Sequence, residues 1–405
     1  MKMNKLKEYF LKDLYEISSG ISTKPEQAGY GYPFISFRTI FNNWILPNKL
    51  NDLMNTSKIE REKYSIKKGD ILLTRTSEKI DELAMSSVAL KDYENTTFSG
   101  FAKRLRPIQT DITYDKFMVF FLRSPYFREI IDKKTTMTLR ASFNETLFSQ
   151  IKILLPEYKT QVKIGELLCK MEEKIKLNNK INSELENMAK TIYDYWFLQF
   201  EFPNNEGKPY KSSGGKMVWN EELKKEIPDN WEIKKLGQLI IENKKSSLQV
   251  SQIKNNSIGE IPFFTSGSTI LYTSNYLVNG QNCFLNTGGN ADVKNYYGKA
   301  SYSTDTWCIT SNEETIYYLS MYLLSMKNIL DIKYFQGTGL KHLQKDLLKN
   351  TKIVYPNKLL LEKFNNLIKN LFIKSSDILR ENQELTSLRD YLLPLLMNGQ
   401  IGFKE

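Results

Sequence analysis

Cysteine, histidine and long apolar runs are scarce in this sequence, and each shortage excludes a class of protein. Three cysteines, at positions 169, 283 and 308, form no Cys-x-x-Cys pair, which excludes a disulfide framework and a cysteine zinc site. The single histidine, His342, excludes a histidine-rich metal centre and argues against imidazole catalysis. The amino terminus lacks an apolar stretch of signal length, and no run of about 18 apolar residues follows. We therefore expect a protein of the reducing cytoplasm without a membrane segment.

Catalytic motifs are also missing. The sequence has no Pro-Pro pair, so it lacks the Asn/Asp-Pro-Pro-Tyr/Phe loop that amino-methyltransferases need. It has no Gly-x-x-x-x-Gly-Lys-Ser/Thr loop for phosphates and no Gly-x-Gly-x-x-Gly fingerprint. The Thr-Gly-Gly-Asn run at 287–290 lacks the downstream lysine and predicts a turn. We predict no catalytic residue, no cofactor and no metal ligand, and hence a binding subunit.

Positive charge and apolar residues are abundant. The chain has 405 residues, which predicts two or three domains, and 41% of them are hydrophobic, which is enough for real cores. Lysine and arginine number 57 against 46 aspartates and glutamates, giving a net charge of +11 that both halves of the chain share. This balance favours a polyanion partner, nucleic acid before membrane. A basic surface without such a partner is the alternative that composition leaves open.

An internal repeat with an offset of 200 residues organises the chain. Lys152–Pro156 matches Lys352–Pro356, and each block predicts a short strand ended by proline. After each block, mostly apolar residues keep a three-four spacing for about 40 residues, or about 60 Å of helix. Asn182 and Asn382 occupy equivalent polar positions in these two seams. The matched seams predict an antiparallel coiled coil, and ordinary core helices are the alternative.

The segments before the two helices predict sheets, because β-branched and aromatic residues alternate there between Gly, Asn and Ser. Pro33–Ser36 echoes Pro262–Thr265, and Tyr9–Leu14 echoes Trp231–Leu236. The predicted fold is α+β, with two globular α/β domains separated by two long helices in an antiparallel coiled coil, as a pseudo-twofold repeat. The predicted limits are 1–157 for the first domain, 158–200 for the first helix, 201–230 for a linker, 231–356 for the second domain and 357–400 for the second helix.

Specific residue patterns mark the end of the first helix, the linker and the carboxyl end. They are Ile192–Phe197, Phe200–Pro203, Gly207–Gly215, Ile227–Glu232 and Leu388–Gln400. Through these patterns the whole chain resembles the DNA-specificity (S) subunit of type I restriction–modification enzymes. The resemblance implies that the two globular domains are target-recognition domains, each of which reads one half of a bipartite site in double-stranded DNA. It also implies that the helices space the domains and dock two methyltransferase (M) subunits, alongside motor-nuclease (R) subunits.

Two other functions stay open at this point. The chain could be a stand-alone or detached part of a DNA-cleaving or DNA-methylating enzyme, or a coiled-coil scaffold whose globular domains bind protein. Salt-dependent binding to duplex DNA separates a DNA-specificity subunit from a scaffold. Cleavage or methyl transfer by the purified chain alone separates it from an enzyme.

Loops between the predicted strands hold side chains suited to DNA, since Arg, Lys, Asn and Gln pair with base edges and Ser, Thr and Tyr contact phosphates. In the first domain we predict DNA binding by Ser36, Arg38, Thr74, Arg75, Ser77, Lys79, Lys103, Arg104, Thr138, Arg140 and Ser142. In the second domain we predict DNA binding by Thr265, Ser266, Ser268, Asn286, Thr287, Asn290, Lys294, Tyr296, Thr338, Lys341 and His342. The stretches 138–142 and 338–342 share the offset of 200, which strengthens their assignment. For His342 a structural hydrogen bond is the first expectation and a DNA contact the second.

Overall fold

The computed structural model describes residues 6–77, 79, 82–135, 141–255 and 259–403. The chain divides into two compact units, of which the first comprises Met1–Lys174 and Leu385–Glu405 and the second Ile175–Glu384. Each unit therefore contains a globular part together with a portion of each long helix.

The globular part of the first unit is built from short strands and helices that precede the first long helix. The strands are β1 Leu6–Phe10, β2 Tyr15–Ser19, β3 Ala28–Ile35, β4 Leu53–Met54, β5 Ile71–Thr74, β6 Thr76–Ser77, β7 Ser86–Val88, β8 Thr97–Phe98, β9 Ala102–Pro107, β10 Ala141–Ser142 and β11 Lys152–Pro156. The helices are α1 Leu11–Leu14, α2 Phe37–Asn42, α3 Lys58–Lys63, α4 Asp115–Phe121, α5 Pro125–Lys134 and α6 Glu145–Gln150, followed by the long helix α7, Tyr158–Tyr193.

The globular part of the second unit follows the same plan. Its strands are β12 Met217–Asn220, β13 Lys225–Pro228, β14 Glu232–Lys235, β15 Ile241–Glu242, β16 Ile261–Phe264, β17 Ile270–Thr273, β18 Gln281–Asn286, β19 Val293–Tyr297, β20 Ser301–Tyr302, β21 Thr306–Thr310, β22 Phe335–Gln336, β23 His342–Leu343 and β24 Lys352–Tyr355. Its helices are α8 Val250–Asn255, α9 Ile316–Ser325, α10 Lys327–Lys333 and α11 Lys345–Lys349, followed by the long helix α12, Lys358–Met397.

Sheet topology repeats between the units. The four-stranded sheet has the order β2-β9-β5-β7 in the first unit and β15-β21-β18-β19 in the second. The three-stranded sheets, β4-β3-β8 and β17-β16-β20, each contain one parallel pair. The two-stranded pairs β1-β11 and β14-β24 close each globular part before its long helix. The predicted internal repeat is thus confirmed as a repeat of structure.

Continuous apolar runs become the central elements of each core. All four residues of β5 are buried, and so are five consecutive residues of α4, 117–121. In the second unit β18 is buried along its whole length and α9 along most of it. Elements that are apolar on every side must be covered on every side, which places them at the centre.

The two long helices run antiparallel within each unit. In the first unit Glu172 forms an ion pair with Arg389, and Lys163 Nζ lies 5.9 Å from the ring of Phe403, beyond the end of α12. In the second unit Asn178 Nδ2 donates to Asn382 Oδ1 at 2.9 Å and to Glu381 Oε2 at 2.8 Å, while Tyr193 contacts Phe364. Residues later in α7 therefore contact residues earlier in α12, as expected for antiparallel helices. Asn382 Nδ2 also donates to Asn179 Oδ1 at 2.8 Å, so Asn382 meets Asn178 and Asn179, which lie about one turn before Asn182.

Residues 201–230, predicted as a linker, contain ordered structure. Strands β12 and β13 form a hairpin, and Phe202 and Ile227 are buried in the same core as Trp231. The ring of Phe202 stacks on Tyr210 at a centroid distance of 4.5 Å. The apolar residues spaced between the Gly, Pro and Ser residues anchor this segment to the second unit.

Candidate nucleic-acid interface

Three loops of the first unit are joined by backbone hydrogen bonds at the carboxyl end of β5. Arg75 N–H donates to Phe101 O at 2.9 Å, and Phe143 N–H donates to Arg75 O at 2.7 Å. Strands β6 and β10 pair beside these bonds, with Ser77 opposite Ala141. We call residues 75–77, 99–101 and 141–143 the first loop cluster. Its backbone is held on both sides while the Arg75 side chain stays exposed.

Three loops of the second unit are joined in the same way at the carboxyl end of β18. Thr287 N–H donates to Asp305 O at 3.1 Å, and Leu343 N–H donates to Thr287 O at 3.0 Å. Gly289 N–H also donates to Lys341 O at 2.9 Å. We call residues 286–290, 303–305 and 341–343 the second loop cluster. The repeat therefore extends to individual hydrogen bonds, with Thr287 in the place that Arg75 has in the first unit.

The exposed side chains of the two clusters differ in chemistry. Arg75 is exposed and its guanidinium lies 3.4 Å from Gly100 O. In the second cluster Asn290, Lys341 and His342 are exposed, and Lys341 Nζ lies 3.4 Å from Asp331 Oδ2. Backbone bonds fix these residues and their side chains reach solvent, so both clusters can meet the donors and acceptors of a DNA groove.

Seven predicted DNA-binding residues are buried, and we withdraw them as base contacts. They are Thr74, Ser77, Lys103, Arg104, Thr265, Asn286 and Tyr296. Lys103 Nζ donates to Ser19 Oγ at 2.8 Å, and Arg104 Nη1 donates to Ser65 O at 2.6 Å. Burial lowers the pKa of Arg104 and raises the pKa of Tyr296. These side chains hold strands and loops together, which explains polar residue types that composition alone assigned to DNA.

Lys294 also has a structural role. Its Nζ donates to Thr265 O at 2.9 Å and to Gly267 O at 2.7 Å, and it lies 3.3 Å from Asp292 Oδ2. Burial lowers the pKa of Lys294, against the opposing effect of Asp292. Lys294 therefore ties the loop after β16 to β19. Ser266 Oγ donates to Asp305 O, which brings the same loop to the second loop cluster.

The other predicted residues remain accessible or lie outside the described part of the chain. Exposed residues are Arg38, Lys79, Ser268 and Thr338, and partly exposed ones are Ser36, Ser142 and Thr287. Thr138 and Arg140 lie outside the described residues. Phe101, which is not among the residues predicted from the sequence, is 68% exposed within the first loop cluster.

Ser36 caps helix α2, since its Oγ accepts a hydrogen bond from Thr39 N–H at 3.2 Å. Replacing Ser36 by alanine should lower the free energy of unfolding by about 1 kcal/mol, because the first turn loses this acceptor. Urea unfolding of the variant measures the effect, and Ser36→Asp is the control because it keeps an acceptor at the cap. DNA affinity should stay unchanged in both variants. A large loss of affinity in Ser36→Ala alone would assign Ser36 to DNA instead.

Metal and membrane sites are not supported by the described residues. Within these ranges no group of three or more His, Cys, Asp or Glu side chains is placed to hold a metal ion. No helix in the described part of the chain combines the length and apolar character needed to cross a membrane.

A model of the type I restriction modification DNA specificity domain matches residues 3–187 and 228–373, most of the chain and both copies of the repeat. The chain belongs to this DNA-specificity family. The resemblance predicted from its motifs is thereby confirmed. This specificity subunit is a non-catalytic, DNA-binding component of a type I restriction–modification system, and the alternatives of an enzyme or a scaffold are not favoured.

Similar proteins align with this specificity subunit over almost its whole length. The type I restriction enzyme MjaIX specificity subunit of Methanocaldococcus jannaschii is 26% identical over 98% of this chain and 93% of its own. The HindI specificity subunit of Haemophilus influenzae is 23% identical over 98% of this chain and 100% of its own. The crystal structure of the type I S subunit from M. genitalium has the same fold, with a TM-score of 0.58, 14% identity and coverage of 97% of this chain and 96% of that one.

Proposed function

We propose that the first loop cluster reads one half of a bipartite site in double-stranded DNA and that the second reads the other half. The observation that carries this proposal is the shared hydrogen-bonded framework with different exposed side chains. Arg75 and Phe101 stand in the first cluster where Thr287 and Asp305 stand in the second. One scaffold with two sets of side chains suits an asymmetric sequence, because base contacts and not the scaffold carry the specificity.

We propose that the segments predicted from the sequence have the following roles. Residues 1–157 and 231–356 are the two recognition domains, 158–200 and 357–400 are the spacer helices, and 201–230 connects the halves. Exposed apolar side chains on the first long helix, at Leu177, Ile181 and Met188, favour docking of two M subunits on the helices. R subunits complete the proposed assembly, and the cytoplasmic location stays a prediction from the sequence.

Methylome sequencing of cells with and without this chain tests the proposal. We expect one bipartite motif with an unspecified spacer to lose its methylation when the chain is removed, because the catalytic M subunits lose their target recognition. Purified chain alone should bind duplex DNA with a steep salt dependence and should neither cleave nor methylate it. An unchanged methylome, or turnover that a point mutation in this chain abolishes, would contradict the proposal.

The long helices are proposed to set the spacer between the half-sites. Matched insertions of seven residues, one in each helix near Asn178 and Asn382, keep the apolar seam and add about 10 Å of helix. The spacer should therefore lengthen by up to about three base pairs while both half-sites stay the same. Methylation of a library with random spacers measures the change. An insertion of seven residues in the 204–208 loop is the control, and new half-site bases at an unchanged spacing would refute the assignment.

A further inference from the structure

A cavity of about 400 Å³, partly open to solvent, lies in the second unit between the two long helices and the edge strand β19. Phe264, Tyr296 and Phe372 contribute to its apolar wall, and Asn182 and Asn295 contribute to its polar side. Protein interiors are close-packed, and a mostly apolar space of this size with a few converging polar groups is typical of a small-molecule site.

The two asparagines leave hydrogen-bonding groups unpaired in this cavity. Asn295 Oδ1 and Nδ2 are both buried without a hydrogen-bond partner among the described residues, and the same holds for Asn182 Oδ1. A buried amide without a partner destabilises the folded chain, so proteins nearly always satisfy such groups with another residue, water or a ligand. The cavity thus presents one amide with a free donor and acceptor on strand β19, and a second free acceptor on the first long helix.

Three charged side chains beside the cavity, Asp292, Lys294 and Lys327, are paired with one another. Asp292 lies 2.6 Å from Lys327 Nζ and 3.3 Å from Lys294 Nζ. Burial raises the pKa of the nearby Glu186 carboxyl, against the effect of the Lys327 charge. The raised pKa favours the uncharged form of Glu186, and the buried unpaired atoms at the cavity belong to the neutral amides of Asn182 and Asn295. Burying a further charge in such a site is costly. This balance favours an uncharged ligand.

We propose that this cavity binds an uncharged purine base or nucleoside of the adenine type. An asparagine amide donates and accepts in one plane, the pattern that pairs with the amino group and ring nitrogen of adenine. The aromatic wall at Phe264, Tyr296 and Phe372 suits a planar ring. The site lies outside both loop clusters, so it adds a binding activity beyond the reading of DNA. Its occupant links the sheet at Asn295 to the first long helix at Asn182.

Titration calorimetry and thermal unfolding of the full chain test this proposal with adenosine and with purine riboside, which keeps the rings and lacks the amino group. Adenosine should raise the Tm in a concentration-dependent way. Purine riboside should bind about tenfold more weakly, because the Asn295 carbonyl loses its donor. Asn295→Leu replaces the amide by an apolar side chain of similar volume. This variant should have a higher Tm than the unaltered chain without adenosine, and adenosine should not raise its Tm further. Asn275→Leu, at an exposed position of the same unit, should keep the response.

Three results would overturn the proposal. No response of the unaltered chain to adenosine would mean that only water fills the cavity. Equal responses of the unaltered chain and the Asn295→Leu variant would place the binding elsewhere. Equal affinities for adenosine and purine riboside would remove the amide contact. Binding of duplex DNA is measured on the same preparations and depends on the loop clusters. A failure to bind DNA would therefore contradict the proposed function without contradicting the proposed cavity site.

Discussion

Replacing Phe197 by alanine is expected to lower the free energy of unfolding by about 3–5 kcal/mol. The Phe197 side chain is 3% exposed, and its ring centroid lies 4.7 Å from that of Phe364 and 4.9 Å from that of Tyr318, both edge to face. Removing the ring leaves a cavity where the first long helix, the second long helix and α9 meet. The expected decrease in the free energy of unfolding is therefore large for a single substitution.

Leu198 is the matched control, because it follows Phe197 in the same π-helical turn, Asp194–Leu198, and is 53% exposed. Leu198→Ala should change the free energy of unfolding by less than about 0.5 kcal/mol. Chemical denaturation of both variants provides the comparison. Equal effects at the two positions would mean that this turn does not anchor the core. The Tyr-Asp-Tyr-Trp-Phe motif has a physical explanation, since its buried aromatic residues contact Phe364 of the second long helix and Tyr318 of α9.

The long helices were predictable because their signal is periodic over many residues. A three-four seam of about 40 residues tolerates single exceptions, such as the asparagines, and still predicts a long helix. The strand β11 and its copy β24 were also found, since proline ends each run at the same offset. Local chemistry alone was sufficient for these elements, and no contact distant in sequence was needed.

The short strands were harder to align between the two halves. Tyr9–Leu14 was matched to Trp231–Leu236, but Leu11 N–H donates to Ile151 O and Leu236 N–H donates to Thr351 O. The true correspondence pairs Leu11 with Leu236, three residues from the predicted one. Strands of four or five residues contain too few apolar positions to fix a register, which long-range pairing sets instead.

The convergence of the candidate loops was predictable from the sequence, whereas the burial of individual residues was not. Segments rich in Arg, Asn, Ser and Thr between strands do converge in each unit. Residue type, however, does not reveal burial: Lys103 and Arg104 meet partners 84 and 39 residues earlier, at Ser19 and Ser65. Such partners come together only in the folded chain, so sequence reasoning assigned these cations to solvent and hence to DNA.

The exposed residues of the two loop clusters give the sharpest functional prediction. Changing Arg75 to alanine should impair recognition of one half-site, and changing Asn290 or Lys341 to alanine should impair recognition of the other. A side chain that pairs with a base edge should cost about 1–3 kcal/mol of binding free energy, with relaxed specificity at one position. A side chain that contacts phosphate should weaken binding to all sequences and reduce the salt slope by about one unit. The two outcomes differ because only base edges carry sequence information.

Binding of the M-containing complex to duplexes altered in one half-site at a time measures these effects. Lys363→Ala, at an exposed position on the second long helix, is the matched control and should leave both half-sites unaffected, because it lies outside the loop clusters. In the Arg75→Ala complex, base changes in the half-site assigned to the first loop cluster should no longer weaken binding. Base changes in the other half-site should weaken binding as much as they do in the unaltered complex. A double variant of Arg75 and Asn290 should show the sum of the single losses, because the two residues belong to separate units and share no partner. If Arg75→Ala instead relaxed both half-sites together, the units would not read DNA independently, and the proposed division between the two loop clusters would have to be abandoned.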